Sequence, residues 1–538
     1  MTTEENYQAV KSGRSSIRQH CAGTRSVPFA FCASLMEDFP PCHADDDTTE
    51  HDTSPFMRMA LHSAGEALSM AQGINLQRTI FILSSTKGDE QEPLAQSAAR
   101  IATQLGIASS PIVVNNACTS GVTAIITAMR LLDIRAYDYA VVCGAEIQTL
   151  FTISGFQSLK SLSDEPCRPF DMERRGLNLG EAAATVVMTN VPIVEQLSPS
   201  SLSFTINAGA IHNDAYHITN PHPKAAAATR ALNDVTSDID KMQIGVVSVH
   251  GTATMFNDQM ESIAIEQAGL TSVPLSALKG YYGHTMGAAG ILETILTARA
   301  LQDGIILRSL GFSERGVSGK VTIPVSEVTT DKRSFVKMIS GFGGVSAAIM
   351  GCVGNGQASL PTSHKRKAET AMCSKGITIN CNKDELAKQY YDLGTDYPRF
   401  HKMDVMSQLT FIAVEKLVAE YGKQIINTEQ TAIILMSSHS TVVADEKFRA
   451  TISRADDFFP SPSLFVRTLP NVCLGEIAIR HNMHGETSFY ILSEENKAMM
   501  RTIIEATAAG TGVSNIICGW IDCPDETTLT CKMNIWKN

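Results

Sequence analysis

Cys118 is the residue best suited to nucleophilic chemistry. It stands in Asn115-Asn116-Ala117-Cys118-Thr119-Ser120-Gly121, after the apolar run Ile112-Val113-Val114 and before the helical pattern Ala124–Leu132. A cysteine at a strand-to-helix turn lies at a helix N-terminus, where free N–H groups and the helix dipole favour thiolate over thiol. Its small neighbours Ala117, Ser120 and Gly121 leave room for a thioester chain. A free cysteine taken alone is more often a small buried hydrophobe, so the choice rests on its companions. His250 follows Val246-Val247-Ser248-Val249 and opens His250-Gly251-Thr252-Ala253-Thr254, a strand end entering a loop, where catalytic groups often sit. Thr252 and Thr254 are placed to hydrogen-bond to a substrate arm. His284 lies in Gly283-His284-Thr285-Met286-Gly287-Ala288-Ala289-Gly290, where small residues permit close backbone approach. Either histidine alone is more often structural than catalytic; their joint occurrence with the Cys118 motif shifts the balance towards a catalytic site. The run Ser340-Gly341-Phe342-Gly343-Gly344 suggests a mobile loop with one bulky gate and lacks the spacing of a dinucleotide site.

These positions need strands and helices to hold them. Ile80–Leu83, Tyr139–Val142 and Val246–Val249 read as buried strands, and Ala124–Leu132 and Ala288–Leu301 as helices. The alternation predicts an α/β architecture with buried sheets. The chain has 538 residues, 44% hydrophobic and 18% charged, which favours two units over one core. No apolar run approaches the roughly 20 residues of a membrane span, and the opening segment is polar, so no membrane partner and a cytoplasmic location are expected. The 13 cysteines show no paired metal-ligand spacing and read as thiols in a reducing compartment. A net charge of −11 argues against nucleic acid as a partner and leaves room for a local basic patch.

Patterning continues to about Val353, gives way to a small, polar, charged stretch that reads as a linker over 354–375, and resumes over 376–538. The later part repeats the earlier one: QRTIFILSS (ending at Ser85) resembles QTAIILMSS (ending at Ser438), and DYAVVCGAE resembles SNIICGWID further on. The helix-like FMRMALHSAGEAL and VMSQLTFIAVEKL precede the first pair in the same order.

ACTSG, RPFDMERRGLNLGEAAA, HGTAT followed by Met-Phe-Asn-Asp, LKGYYGHTMGAAG and GFGG stand in that order. Together they resemble the elongating β-ketoacyl-acyl carrier protein synthases over residues 1–353. The resemblance implies a thiolase-like layered α-β-α-β-α fold and decarboxylative Claisen condensation on acyl carrier protein, in fatty-acid or polyketide and pigment synthesis, without metal or cofactor. It makes Cys118 the acyl-accepting nucleophile, with His250 and His284 assisting decarboxylation and holding the thioester carbonyl. It makes Lys279 and Glu293 supporting residues and Phe342 the gate. The backbone N–H groups of Cys118 and Phe342 would form the oxyanion hole. A homodimer, or a heterodimer with another ketosynthase, is implied as well.

Departures from the family pattern are also legible. Met1 falls where a first strand would already have passed, so that strand is expected to be missing. Ala253 replaces the usual glycine, Val345-Ser346 replaces Thr-Asn, and the stretch from Lys87 to Ala108 is short. The 376–538 unit resembles only the N-terminal half of a synthase. Ser493-Glu494 stand near its nucleophile position, and no counterpart of the histidine motifs follows. That unit is expected to be non-catalytic, and Cys473 and Cys518 to be packing residues that open no suitable helix. The alternative for the whole chain is a non-catalytic, chain-length-factor-like subunit that only shapes a partner's pocket.

Overall fold

The computed structural model describes residues 1–39, 53–71, 73–191, 202–354, 371–372, 375–454 and 458–538. Most of the 354–375 stretch read as a linker lies outside them. In the first unit come β1 (Thr79–Ser84), β2 (Ile112–Val114), β3 (Tyr139–Glu146) and β4 (Ala182–Thr189), then β5 (Phe204–Asn213), β6 (Ile244–Ser248), β7 (Leu275–Ser276), β8 (Ser334–Gly341) and β9 (Val345–Val353). Its main helices are α1 (Pro55–Met70), α2 (Ser120–Asp133), α3 (Ala226–Thr236), α4 (Met255–Gln267) and α5 (Ala289–Gln302). The second unit supplies β10 (Ile377–Cys381), β11 (Thr431–Ser437), β12 (Thr487–Ile491), β13 (Asn515–Asp522) and β14 (Leu529–Lys537). With them come α6 (Val405–Tyr421), α7 (Val442–Ala450), α8 (Pro462–Arg467), α9 (Val472–His481) and α10 (Lys497–Gly510).

One five-stranded sheet runs β7–β6–β8–β9–β5, with β7, β6 and β8 parallel and β9 and β5 antiparallel additions. Two small sheets of three and two strands lie apart, and a second large sheet is ten-stranded and continuous across both units. Its order is β10–β14–β13–β11–β12–β2–β1–β3–β4, with the two-residue strand Ala371–Met372 also on β14. Helices α2 and α5 lie between the two large sheets, and their apolar residues share one core with β1, β3 and β9. The outer faces are covered by α1, α6 and α9 on one side and by α3 and α4 on the other. This is a thiolase-like layered α/β fold. The central helices are buried on nearly every side, which is why their sequences, such as Ser120–Leu132, are apolar around the whole circumference.

The repeat seen in the sequence occupies matching places. β1 and β11 are each the second-from-centre strand of their half, and β3 and β13 lie outside them in parallel. β5 pairs antiparallel on β9 at the outer edge of the five-stranded sheet, and β10 pairs antiparallel on β14 at the outer edge of the ten-stranded one. Among the described residues no strand takes that place beside β4.

The units join where β2 and β12 pair antiparallel, Tyr490 opposite Val114 and Ile491 opposite Val113. The seam is extended by side chains standing in for backbone. Asn116 donates through Nδ2 to Thr487 O at 3.0 Å and accepts at Oδ1 from the Phe489 N–H at 2.9 Å. Arg130 on α2 meets Glu486 at 2.9 Å, each side chain only 2% exposed. The apolar face of the second unit is covered by the first, because α6, α9 and β11 share a core with α1, β1 and β3.

Candidate active site

The nucleophile turn is built by close helix crossing. A Cβ on Gly121, at the start of α2, would sit 2.9 Å from Gly287 O and 3.1 Å from Gly290 Cα. Glycine there lets the turn holding Cys118 touch the turn that follows His284. Cys118 lies in the single 3₁₀ turn Ala117–Thr119, and Ala117 has φ +50°. Left-handed backbone at a non-glycine residue is the kind of local strain found at reactive turns.

Three chemistry-bearing side chains converge. His284 Nε2 lies 3.1 Å from Cys118 Sγ, the His250 and His284 rings meet edge to face at 4.9 Å, and one ligating atom from each of the three lies within 4.8 Å of the others. The Met286 N–H donates to His284 Nδ1 at 3.2 Å. In the neutral ring the proton therefore sits on Nε2, facing the sulfur. The backbone around His250 is pinned from both sides: its N–H donates to Glu261 at 2.7 Å, and its carbonyl accepts from Lys279 Nζ at 2.7 Å. Lys279 also reaches Glu293 Oε1 at 2.6 Å. Burial, and then the positive charge of Lys279, holds both imidazoles well below their ordinary range.

Two effects on the Cys118 thiol oppose each other: the helix start favours thiolate, and burial favours thiol. Burial pushes its thiol up to about 12, and Lys279 only partly offsets this. A sulfur facing an apolar cavity loses more from desolvation than one short turn of helix returns. Desolvation thus opposes the thiolate, and the Nε2–H of His284, 3.1 Å away, is the donor placed to stabilise charge on the sulfur. Burial also raises the Glu146 carboxyl to about 7, while the N–H groups of Thr86 and Gly287 pull it down. Glu146 thereby ties the turn after His284 to the end of β1.

A cavity of about 20 Å³ opens beside the sulfur. Its walls include Thr152, Phe156, Met286 and Phe342 from the first unit, and Phe465 and Leu469 from the second. Phe342 stacks on Phe156 at 6.3 Å. The turn that carries it is not free: Asn471 of the second unit donates to Phe342 O at 2.7 Å, and Asn213 donates to Gly343 O at 2.8 Å. Gly341 runs against Cys118, where a Cβ would come within 3.3 Å of its amide nitrogen. A larger cavity, about 140 Å³, lies away from this chemistry between α6, α7 and α8.

The family description "Beta-ketoacyl synthase, N-terminal domain" matches residues 11–191, and "Beta-ketoacyl synthase, C-terminal domain" matches 203–313. The chain belongs to the β-ketoacyl synthase family. A 3-oxoacyl-(acyl-carrier-protein) synthase 2 of Vibrio cholerae is 28% identical over 268 residues, 47% of this chain and 64% of that protein. The chain therefore spans less than two thirds of that relative's length. The enzyme of the same name from Coxiella burnetii is 26% identical over 385 residues, 64% of this chain and 93% of that protein. Among solved structures, a PfaC keto synthase-chain length factor has the same fold over 100% of this chain and 77% of its own, with a TM-score of 0.80 at 15% identity.

Within this member of the family the remaining sequence-read residues fall unevenly. Thr252 and Thr254 hydrogen-bond to each other at 2.9 Å. Ala253, at the usual glycine position, has φ +61° and is fully buried. Cys473 and Cys518 are buried, and burial raises both thiols. Cys473 nevertheless sits in the first turn of α9, contrary to the expectation that it opens no helix. Its side chain faces the core shared with α6, which is why it behaves as a packing residue all the same. Ser493 and Glu494 lie exposed between β12 and α10, with no histidine beside them in the motif positions. Sequence reasoning did not single out Lys337, Glu146, Glu261 or Asn116. Of these, a lysine in the apolar run Phe335–Ile339 was the one visible signal.

Proposed function

We propose that the chain is a β-ketoacyl-acyl carrier protein synthase whose Cys118 accepts an acyl group and extends it by decarboxylative Claisen condensation. The observation that carries this reading is the His284 Nε2–H facing Cys118 Sγ at 3.1 Å, with His250 alongside. Cys118 attacks the acyl thioester, the carrier thiol leaves with the proton, and a new thioester forms. A malonyl group on a second carrier then loses carbon dioxide, and its electron pair moves onto the thioester oxygen. Imidazole donors converging there stabilise that enolate. Its carbon attacks the acyl-cysteine carbonyl, and the cysteine sulfur departs and takes a proton from water. Carbon–carbon bond formation is thus driven by release of carbon dioxide, and the step draws on no redox cofactor. The backbone N–H groups of Cys118 and Phe342 serve as the oxyanion hole in this scheme.

The second unit supplies no nucleophile in this reading; it walls the acyl cavity through Phe465 and Leu469 and holds the gate turn through Asn471. A catalytic unit fused to a unit that shapes its pocket supports a specialised polyketide or pigment pathway over general fatty-acid elongation. Acyl carrier protein is the proposed partner and the cytoplasm the proposed location. The test is intact-mass analysis of the full chain after incubation with acyl-loaded and malonyl-loaded carrier. An acyl adduct on Cys118 followed by loss of carbon dioxide is expected; an adduct on another cysteine, or none, overturns the assignment.

A further inference from the structure

Lys337 sits in the middle of β8 with no exposure at all, on the strand face it shares with Phe335 and Ile339. An ammonium in that position is strongly disfavoured unless every donor is used and its charge is balanced. Its Nζ donates to Val249 O at 3.0 Å and reaches Glu293 Oε2 at 2.5 Å. Lys279 takes the neighbouring pair of acceptors, His250 O and Glu293 Oε1. Two lysines thus share one carboxylate and grip consecutive carbonyls where the chain leaves β6 for the His250 loop.

We propose that Lys337 is a positioning residue of the condensing site, the second arm of a two-lysine clamp that fixes the backbone at His250 and leaves net positive charge behind the imidazole pair. This rests on the reading that His250 and His284 stabilise the enolate. Within the clamp, two ammonium groups and one carboxylate sum to one positive charge, and burial, which raises the Glu261 carboxyl, weakens the opposing charge beside it. Beyond the clamp, the charged or titratable groups facing the two rings are Glu261, which holds the His250 and Gly251 N–H groups, Cys118 beside His284, and Glu146, which holds the Gly287 turn. Positive charge there opposes protonation of either ring, so each remains a neutral donor, and it favours negative charge developing on the thioester oxygen. Both lysines indeed lower the two imidazoles further than burial alone.

The experiment compares wild type, Lys337→Gln and Glu293→Gln as full chains. Glutamine at 337 retains a donor for Val249 O and removes the charge; glutamine at 293 removes the negative charge and leaves both lysines. Histidine-labelled proteins are titrated by NMR, and malonyl-carrier decarboxylation is followed against pH. A removed positive charge raises the imidazole midpoints, so protonation begins at higher pH and the acid limb of decarboxylation moves up, by about half a unit or more. Glu293→Gln should move both in the opposite direction. Midpoints that stay at the wild-type value, or that move the same way in both variants, overturn the proposal, because a merely structural defect has no charge sign. A wild type whose imidazoles respond as described but which releases no carbon dioxide would instead refute the reading of the trio. If Lys337→Gln does not fold, Lys337→Met and Glu293→Gln are read by the same opposition of sign.

Discussion

Phe465 is, with Leu469, a residue through which the second unit reaches the cavity beside Cys118. It is 3% exposed, with its ring 5.5 Å from Phe156 and 5.3 Å from Phe448. A Cβ added at Gly155 would lie 2.1 Å from that ring, so the space is filled up to the helix backbone. The cavity beside Cys118, about 20 Å³, has room for roughly one water. Phe465→Ala removes a six-carbon ring and opens space for roughly four methylenes, each worth about 0.8 kcal/mol on burial. About 3 kcal/mol in favour of longer chains corresponds to roughly a hundredfold change in selectivity. The same truncation destabilises the fold by about 3–5 kcal/mol, nearer the lower figure because one side of the ring already faces a void. The assay offers equimolar butanoyl- and octanoyl-loaded carrier and reads the acyl masses on Cys118. An unchanged ratio in a variant that still melts cooperatively would refute the idea that the second unit limits chain length.

Three further outcomes are expected. Cys118→Ala abolishes both acylation and condensation, whereas His284→Ala still acylates but loses most malonyl decarboxylation; separate mass and carbon dioxide assays distinguish them, and normal condensation by the histidine variant would sink the scheme. Glu486→Gln leaves Arg130 charged and buried at the junction and should cost about 3–5 kcal/mol in denaturant unfolding, with Arg130→Met plus Glu486→Met recovering much of it. Ala253→Gly relieves left-handed strain of about 1–2 kcal/mol while giving up one buried methyl of about 0.8 kcal/mol, so its melting temperature should equal or slightly exceed wild type; a marked drop would show that the methyl matters more than the backbone.

The parts of the site legible in the sequence were those encoded by local pattern. The runs at 80–83 and 139–142 fall inside β1 and β3, and the helical patterns at 124–132 and 288–301 match α2 and α5 to within a residue, except that α2 starts four residues earlier, at Ser120. Val249 was read as strand, but pairing ends at Ser248, where the chain turns to present His250. Lys337 was invisible as a participant because its meaning depends on Glu293 and Val249, far away in the chain, and a lysine within an apolar strand reads equally well as a residue reaching solvent. Asn116 was quoted only as part of the cysteine motif; its job as a substitute for backbone pairing exists only once β12 lies beside β2. The burial that opposes a Cys118 thiolate was hidden for a related reason. Helix position can be read from neighbours in sequence, whereas desolvation comes from residues such as Phe342 and Phe465 that only the fold brings near.

The β2–β12 seam has a consequence for how such an assembly behaves at low abundance. Two separate proteins meeting through that seam would obey mass action, and a pair with a dissociation constant near 1 μM would fall largely apart at nanomolar levels. Here both sides of the seam belong to one polypeptide, so dilution cannot change the ratio of the first unit to the second. Product length would then be independent of expression level, and a cell could retune it by altering α8 without touching the residues that make the carbon–carbon bond.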